Sequence, residues 1–196
     1  MLMWLCIFFF FSSGCVVQSL NPFYTQEMLV DLPALEGQWS LIREPGHDVS
    51  EKDIKLWVIK GEEMSIFDTD GNPASVIIKF FKVGEITFGD IYPVYPGNPE
   101  SPEKMNHYWG FLIHVVHTVC KVDIQDDLLT LVLLNYDHLQ KEIEGGRVHL
   151  SYHKDESDLL MFTASPLEWQ EFLQKYKDDP EFFTKDDAAF VLKRIK

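Results

Sequence analysis

The chain has 196 residues and a formal net charge of −14, from 31 acidic and 17 basic side chains. This length predicts one domain, large enough to bury about 70% of its unfolded surface without disulfides. The acidic balance argues against nucleic acid and anionic lipid surfaces as partners, because both recruit cationic side chains.

The first fourteen residues, MLMWLCIFFFFSSG, carry no charged side chain. Their apolar part, Leu2 to Phe11, is far shorter than the ~20 residues that a membrane-spanning helix needs. The stretch 1–14 is therefore predicted to be a signal peptide, with small residues just before Cys15.

The sequence SSGC at 12–15 resembles the lipobox of bacterial lipoproteins. The resemblance implies cleavage before Cys15, diacylation of its thiol (palmitate or a similar chain), and anchoring of the mature protein to a membrane. Val16, which follows the cysteine, is similar to the residues that direct bacterial lipoproteins to the outer membrane. In a Gram-negative host, the resemblance therefore implies a protein on the outer membrane that faces the periplasm. The alternative is an ordinary secretory signal cut near Gly14, with Cys15 a plain thiol. Acylation would leave Cys120 as the one free thiol.

Residues 15–30 are predicted to form the lipidated cysteine and a tether, since Asn21-Pro22 favours extended or turn geometry. Asp31 can then cap a short helical turn that contains Pro33. Gly37 allows the chain to reverse into a first strand from Gln38.

Short apolar runs follow one another at 54–59, 64–67, 75–83 and 86–92, with turns at Gly61, 70–72 and Gly84. Spacing of about ten residues is typical of an antiparallel meander. In SVIIKFFKV, alternation predicts that Val76, Ile78 and Phe80 share one face, while Ile77, Lys79 and Phe81 share the other.

A Pro-rich loop, residues 93–102, separates this meander from two further strands, at 107–124 and 128–134. The second is almost continuously apolar, which predicts cover on both faces. Two strands, VHLSYH and LLMFTA, and a last segment at 188–195 come later; the last is predicted as a strand, with a helix as the alternative.

Two helices are predicted near 136–144 and 165–177. The second has a capping box, with Ser165 at the N-cap and Glu168 at N3. Its stripe of Trp169, Phe172, Leu173 and Tyr176 indicates one buried face.

The predicted fold is mainly β, an antiparallel barrel over residues 31–196 with a C-terminal helix packed outside it. The segment LPALEGQW, with Gly37 and Trp39 in a G-x-W motif, resembles the N-terminal signature of lipocalins. That resemblance implies that Trp39 plugs the closed end of a lipocalin-like barrel. The whole pattern is also similar to small uncharacterised bacterial lipoproteins, which bring no activity with them.

Metal sites are not predicted, although several histidines invite the question. His114, His117 and Cys120 fall on alternating faces of a strand, so they do not converge. His149 and His153 share a face but make only half of a zinc site. The DTDGN stretch lacks the glycine and glutamate positions of a calcium loop.

Short catalytic motifs are absent from the sequence, and no cofactor is implied. An eight-stranded barrel can be packed solid or can hold one small ligand, and both possibilities stay open. The candidate lining residues are aromatic: Trp57, Phe80, Phe88, Trp109 and Phe111.

The sequence therefore predicts a lipid-anchored cell-envelope protein that is non-enzymatic and binds a small apolar or amphipathic molecule in its barrel. The alternative is an envelope protein–protein interaction module with a solid barrel, docking through an apolar patch or through residues 93–102. An enzyme would require a polar cleft with perturbed carboxylates or histidines.

Overall fold

The computed structural model describes residues 16–44, 47–48, 55–67, 71, 73–94, 115–156, 158–183 and 189–195. The predicted signal peptide 1–14, Cys15, Trp109, Phe111, His114 and residues 95–102 of the Pro-rich loop lie outside these ranges.

Twelve strands, two α-helices and two short 3₁₀ turns make up the described fold. In chain order they are β1 (Gln18–Ser19), 3₁₀ turns at Gln26–Met28 and Pro33–Leu35, β2 (Gly37–Glu44), β3 (His47–Asp48), β4 (Leu56–Lys60), β5 (Glu63–Phe67), β6 (Pro73–Val83), β7 (Ile86–Pro93), β8 (Thr118–Gln125), β9 (Leu128–Leu133), α1 (Tyr136–Glu144), β10 (Tyr152–Lys154), β11 (Leu160–Phe162), α2 (Pro166–Tyr176) and β12 (Ala189–Arg194).

A closed antiparallel barrel of eight strands forms the centre of the molecule, which confirms the predicted fold class. Strands β2 and β4 to β9 pair in succession, and β12 pairs with β9 on one side and with β2 on the other. This closure leaves these eight strands without a free edge. The two-residue strand β3 extends the pairing at the end of β2.

Alternation along the strands separates an interior core from an outer core. In β6, the side chains of Val76, Ile78 and Phe80 face the barrel interior, while Phe81 and Val83 pack outside it, as the period of two predicts. The buried residues of the interior core are Leu35, Trp39, Leu41, Trp57, Ile59, Met64, Ile78, Phe80, Cys120, Val122, Leu129, Leu131 and Leu192.

The outer core lies between the barrel wall and a layer made of the two helices and a small sheet. Helix α2 begins with the predicted capping box: the Ser165 side chain accepts from the Glu168 N–H, and the Glu168 carboxylate accepts from the Ser165 N–H. Helix α2 buries Trp169, Phe172 and Leu173 in this core. Helix α1 is capped by Asn135.

The small sheet has the order β1-β11-β10 and is separate from the sheet that forms the barrel. The predicted strands VHLSYH and LLMFTA overlap β10 and β11 of this sheet. Residues 16–30 are not a free tether, because Val17, Ser19 and Phe23 are fully buried and β1 pairs in parallel with β11.

The last segment is a strand rather than a helix. Strand β12 gains hydrogen-bonding partners on both edges, and this decides against the helical alternative. Among the described residues, no helix is long and apolar enough to cross a membrane.

Candidate functional site: an apolar cup in the barrel

Trp39 lies near the start of β2, in the interior core at one end of the barrel. Its side chain is fully buried, and its Nε1–H donates to the Leu35 carbonyl oxygen at 2.9 Å. The Arg194 guanidinium carbon lies 4.2 Å from the centre of the indole ring, a cation–π contact between the first and last barrel strands.

Arg194 also fastens the turn that covers this end. Its Nη1 donates to the Glu36 carbonyl at 2.9 Å, and its Nη2 donates to the Ala34 carbonyl. Gly37 has φ of +134°, and a Cβ there would lie 3.0 Å from Arg194 Nη1. The backbone angle favours glycine, and any larger residue would also require the guanidinium to shift slightly.

The opposite end holds a cavity of about 290 Å³, which we call the cup. Its wall comes from the strand ends that lie away from Trp39. The lining residues are Leu41, Glu44, Lys55, Trp57, Met64, Ile66, Val76, Ile91, Leu131, Leu133 and Phe190.

Two charged side chains lie among the apolar lining residues. Lys55 Nζ and Glu44 Oε2 are 2.8 Å apart, and both side chains are partly exposed. An exposed ion pair of this kind contributes at most about 1 kcal/mol to stability. It does, however, place polar atoms of both signs beside an otherwise apolar wall.

Trp57 lies in the cup wall and packs against Phe190, with ring centres 5.4 Å apart. Within the described ranges, the Nε1 of Trp57 is the one buried side-chain nitrogen or oxygen atom that has no hydrogen-bond partner. Leaving a buried donor unpaired costs about 1–3 kcal/mol. An acceptor reaching this indole would recover part of that cost.

The predicted lining residues have three different outcomes. Trp57 lines the cup. Phe80 is buried in the interior core and borders a second, more polar cavity of about 490 Å³ beside residues 29–36, not the cup. Trp109 and Phe111 lie outside the described residues.

Phe88 is not a lining residue, and the prediction for it was wrong. Its side chain belongs to the outer core, where it stacks on Phe81 at 5.6 Å and contacts Phe183 at 5.6 Å. Both faces of β7 carry buried residues, so hydrophobicity did not distinguish its inward face from its outward face.

Sequence reasoning missed most of the aliphatic wall of the cup, because it searched for aromatic side chains. The usable signal was positional. In β6, Val76 is on the same inward face as Phe80 but lies four residues closer to the cup. On β7, Ile91 pairs with Ile78 of β6 and also lines the cup.

A buried carboxyl lies outside the barrel, beneath the N-terminal segment. Asp90 is fully buried; its Oδ1 is 2.8 Å from His117 Nδ1, and its Oδ2 accepts from the Phe23 N–H at 2.9 Å. Burial raises the pKa of Asp90, and the hydrogen bonds from His117 and Phe23 offset part of this effect. Burial is also the main cause that raises the pKa of neighbouring Tyr24 to about 12.

This Asp90–His117 pair fastens the chain rather than forming a nucleophilic site. The backbones of Ser19 and His117 exchange two hydrogen bonds, at 2.8 and 2.9 Å. The Ser19 hydroxyl donates to the Asn21 carbonyl and accepts from the Trp169 indole, so it is fully engaged. The pair thus holds residues 19–23 against the barrel.

The remaining candidates for chemistry stay separate. Cys120 is fully buried, and burial raises the pKa of its thiol to about 12. His149 and His153 are exposed, and His149 precedes β10 rather than lying in it. Within the described part of the chain, no three potential metal ligands come together.

No protein-family model, curated protein or solved structure matches this chain. The site must therefore be interpreted from its own geometry.

Proposed function

We propose that this protein is a lipid-anchored envelope protein whose barrel binds a small apolar or amphipathic molecule in the cup, without catalysing a reaction. The observation that carries the binding proposal is the cup itself: a cavity of about 290 Å³ with nine apolar lining residues and one ion pair. Ligand pockets in proteins are mostly apolar with a few polar groups that fix orientation.

The size of the cup limits the ligand. At about 30 Å³ for each water-sized group, 290 Å³ accommodates on the order of ten such groups. A short acyl chain or a one- to two-ring compound fits this volume. Its polar group would lie near Lys55 and Glu44, and a hydrogen-bond acceptor would suit Trp57 Nε1.

The proposed anchor is acylated Cys15, at the end of the SSGC motif. Acyl chains contribute about 0.8 kcal/mol per buried CH₂, so two or three chains hold a protein stably on a membrane. We place the protein in the cell envelope, on the periplasmic side of the outer membrane in a Gram-negative host.

A lipocalin-like relationship is part of this proposal. The eight-stranded barrel, buried Trp39 at one end of it and the helix packed outside the barrel support it. The strand that closes the barrel, β12, follows both helices.

The cup is tested with a chain that begins at Val16 and keeps every described element. Native mass spectrometry of gently purified protein should show a co-purifying small molecule. After its removal, the uncharged two-ring fluorophore 1-aminonaphthalene should bind, because it fits the size of the cup and offers an apolar body to the apolar wall.

A filling variant and a matched control locate the binding. Val76→Trp places a large side chain in the cup and should weaken probe binding by about tenfold or more. Leu128→Trp adds the same side chain at an exposed position of β9 and should leave binding unchanged. Equal binding by both variants would contradict the cup; absence of any ligand or probe binding would favour the interaction-module alternative.

The anchor is tested separately in cells. Cys15→Ser should leave the precursor uncleaved and abolish metabolic labelling with palmitate. Labelling that persists in this variant would refute acylation at Cys15.

A further inference from the structure

The outward face of the small sheet is defined by its strand register. Gln18 pairs with Met161, and Ser19 pairs with Phe162. Ser19 and Phe162 are both fully buried, so Gln18 and Met161 point away from the protein.

The same alternation places Val16 and Leu20 on the outward side of the first strand, and Leu159 on the outward side of its neighbour. These three side chains are 41%, 42% and 43% exposed. Together with Met161 they form what we call the apolar face.

The composition of this face is unusual for the chain. In β1, β11 and the residues that flank them, the outward side chains are Val16, Gln18, Leu20, Leu159, Met161 and Thr163, none of which is charged, in a protein of net charge −14. The third strand, β10, adds the exposed imidazole of His153, which pairs with Met161. Leu167, at the start of α2, is 62% exposed. Asn21 Nδ2 donates to the Thr163 and Ala164 carbonyls, which joins the segment after β1 to the residues just before α2.

The apolar face lies directly beside the proposed lipid anchor. Val17, two residues after Cys15 in the sequence, is fully buried. Successive Cα atoms are about 3.8 Å apart, so two residues span less than about 8 Å. Acyl chains on Cys15 would therefore hold this face within a few ångströms of the bilayer.

We propose that the apolar face rests on the membrane interface, so that the domain has one fixed orientation on the lipid instead of moving on a tether. This inference rests on the proposed acylation of Cys15. The partner is a surface of zwitterionic lipid, because a chain of charge −14 is repelled by anionic headgroups and the face offers no cation in β1 or β11 to offset that repulsion. Exposed apolar side chains beside an anchor suit such an interface.

Site-directed spin labelling of the acylated protein, reconstituted in phosphatidylcholine vesicles, tests this orientation. Gln18→Cys places the label in the apolar face. Glu85→Cys is the control, exposed in the β6–β7 turn near Lys177 and thus beyond the opposite end of α2. Cys120 will not react, because it is fully buried.

The Gln18 label should collide several-fold more with lipid-soluble oxygen than with a water-soluble nickel chelate, and the Glu85 label should show the reverse. Leu20→Glu combined with Leu159→Glu should move the Gln18 label toward the nickel chelate, while flotation with the vesicles persists. Equal nickel accessibility at both labels would overturn the orientation.

Two further outcomes separate the possible failures. A protein that does not float with the vesicles refutes the anchor and, with it, this inference. A protein that floats but shows dipolar broadening between Gln18 labels has a second copy on the face, which overturns the membrane contact while leaving the anchor intact.

Discussion

The interior core and the outer core differ in how completely they are filled. Of the buried aromatic residues in the described ranges, ten lie in the outer core and three in the interior core. The outer core packs rings such as Phe23 and Trp169 at 4.3 Å, whereas the interior core ends at the cup. The layer outside the barrel therefore supplies much of the aromatic packing of the protein, whereas the barrel interior contains an unfilled volume at the cup.

The largest expected effects come from removing one tryptophan in each core. Trp169→Ala and Trp39→Ala should each lower the free energy of unfolding by about 3–5 kcal/mol, because both side chains are fully buried. Chemical denaturation measures this. Leu167→Ala, on the exposed side of α2, is the control and should change stability by about 0.5 kcal/mol or less.

A neutral Trp39→Ala would show that Trp39 is dispensable and would remove the lipocalin comparison. A neutral Trp169→Ala would refute the structural importance of the outer layer.

A matched pair of isoleucines tests whether the cup is empty. Ile78 and Ile91 are directly opposite each other on β6 and β7, but Ile78 is 1% exposed and Ile91 lines the cup. Ile78→Ala should cost about 2–5 kcal/mol. Ile91→Ala should cost about 1–2 kcal/mol, because an open cup already deprives this side chain of contacts on one side.

Thermal or chemical denaturation of the ligand-free protein gives both values. Equal losses of unfolding free energy in the two variants would indicate that Ile91 is as tightly packed as Ile78, and this would support a solid barrel.

The smallest expected effect concerns the pH dependence of the segment outside the barrel. Because burial raises the pKa of Asp90, the folded chain holds this proton more tightly than the unfolded chain. The resulting stability is complete below the unfolded-state pKa and is lost as pH rises through the folded-state pKa. The titratable groups that interact with Asp90 are His117, Tyr24, Tyr92 and Cys120.

Comparison with Asp90→Asn isolates this carboxyl. The free energy of unfolding of the natural chain minus that of the variant should fall as pH rises through the range just above the ordinary pKa of aspartate. Denaturation at a series of acidic pH values measures it. A difference that is constant or rises over that range would contradict a raised pKa.

Local patterns predicted the elements that depend on local physics. The Ser165 capping box, the buried stripe of α2 and the alternating faces of β6 all follow from spacing along a few residues. The last strand was predicted as well, although its pairing with β2 could not be foreseen from 188–195 alone.

The predictions failed where contacts with residues distant in the sequence determine the structure. Val17 and Phe23 resemble tether residues in the sequence, but they are buried by elements such as α2, and the nearby Asn21 bonds to a carbonyl 143 residues away. The cup could not be predicted, because an unfilled volume depends on how all the inward side chains of the barrel share the interior.

The pairing of β12 with β2 also has a consequence for how the protein is made. The barrel cannot close until residue 194 has been synthesised, since β12 supplies the seam between β9 and β2. Until then both of those strands expose edges that can pair with other chains. A nascent chain of this protein therefore has an aggregation-prone interval that lasts until β12 is available, and chaperones that hold unfolded chains would be most needed during it.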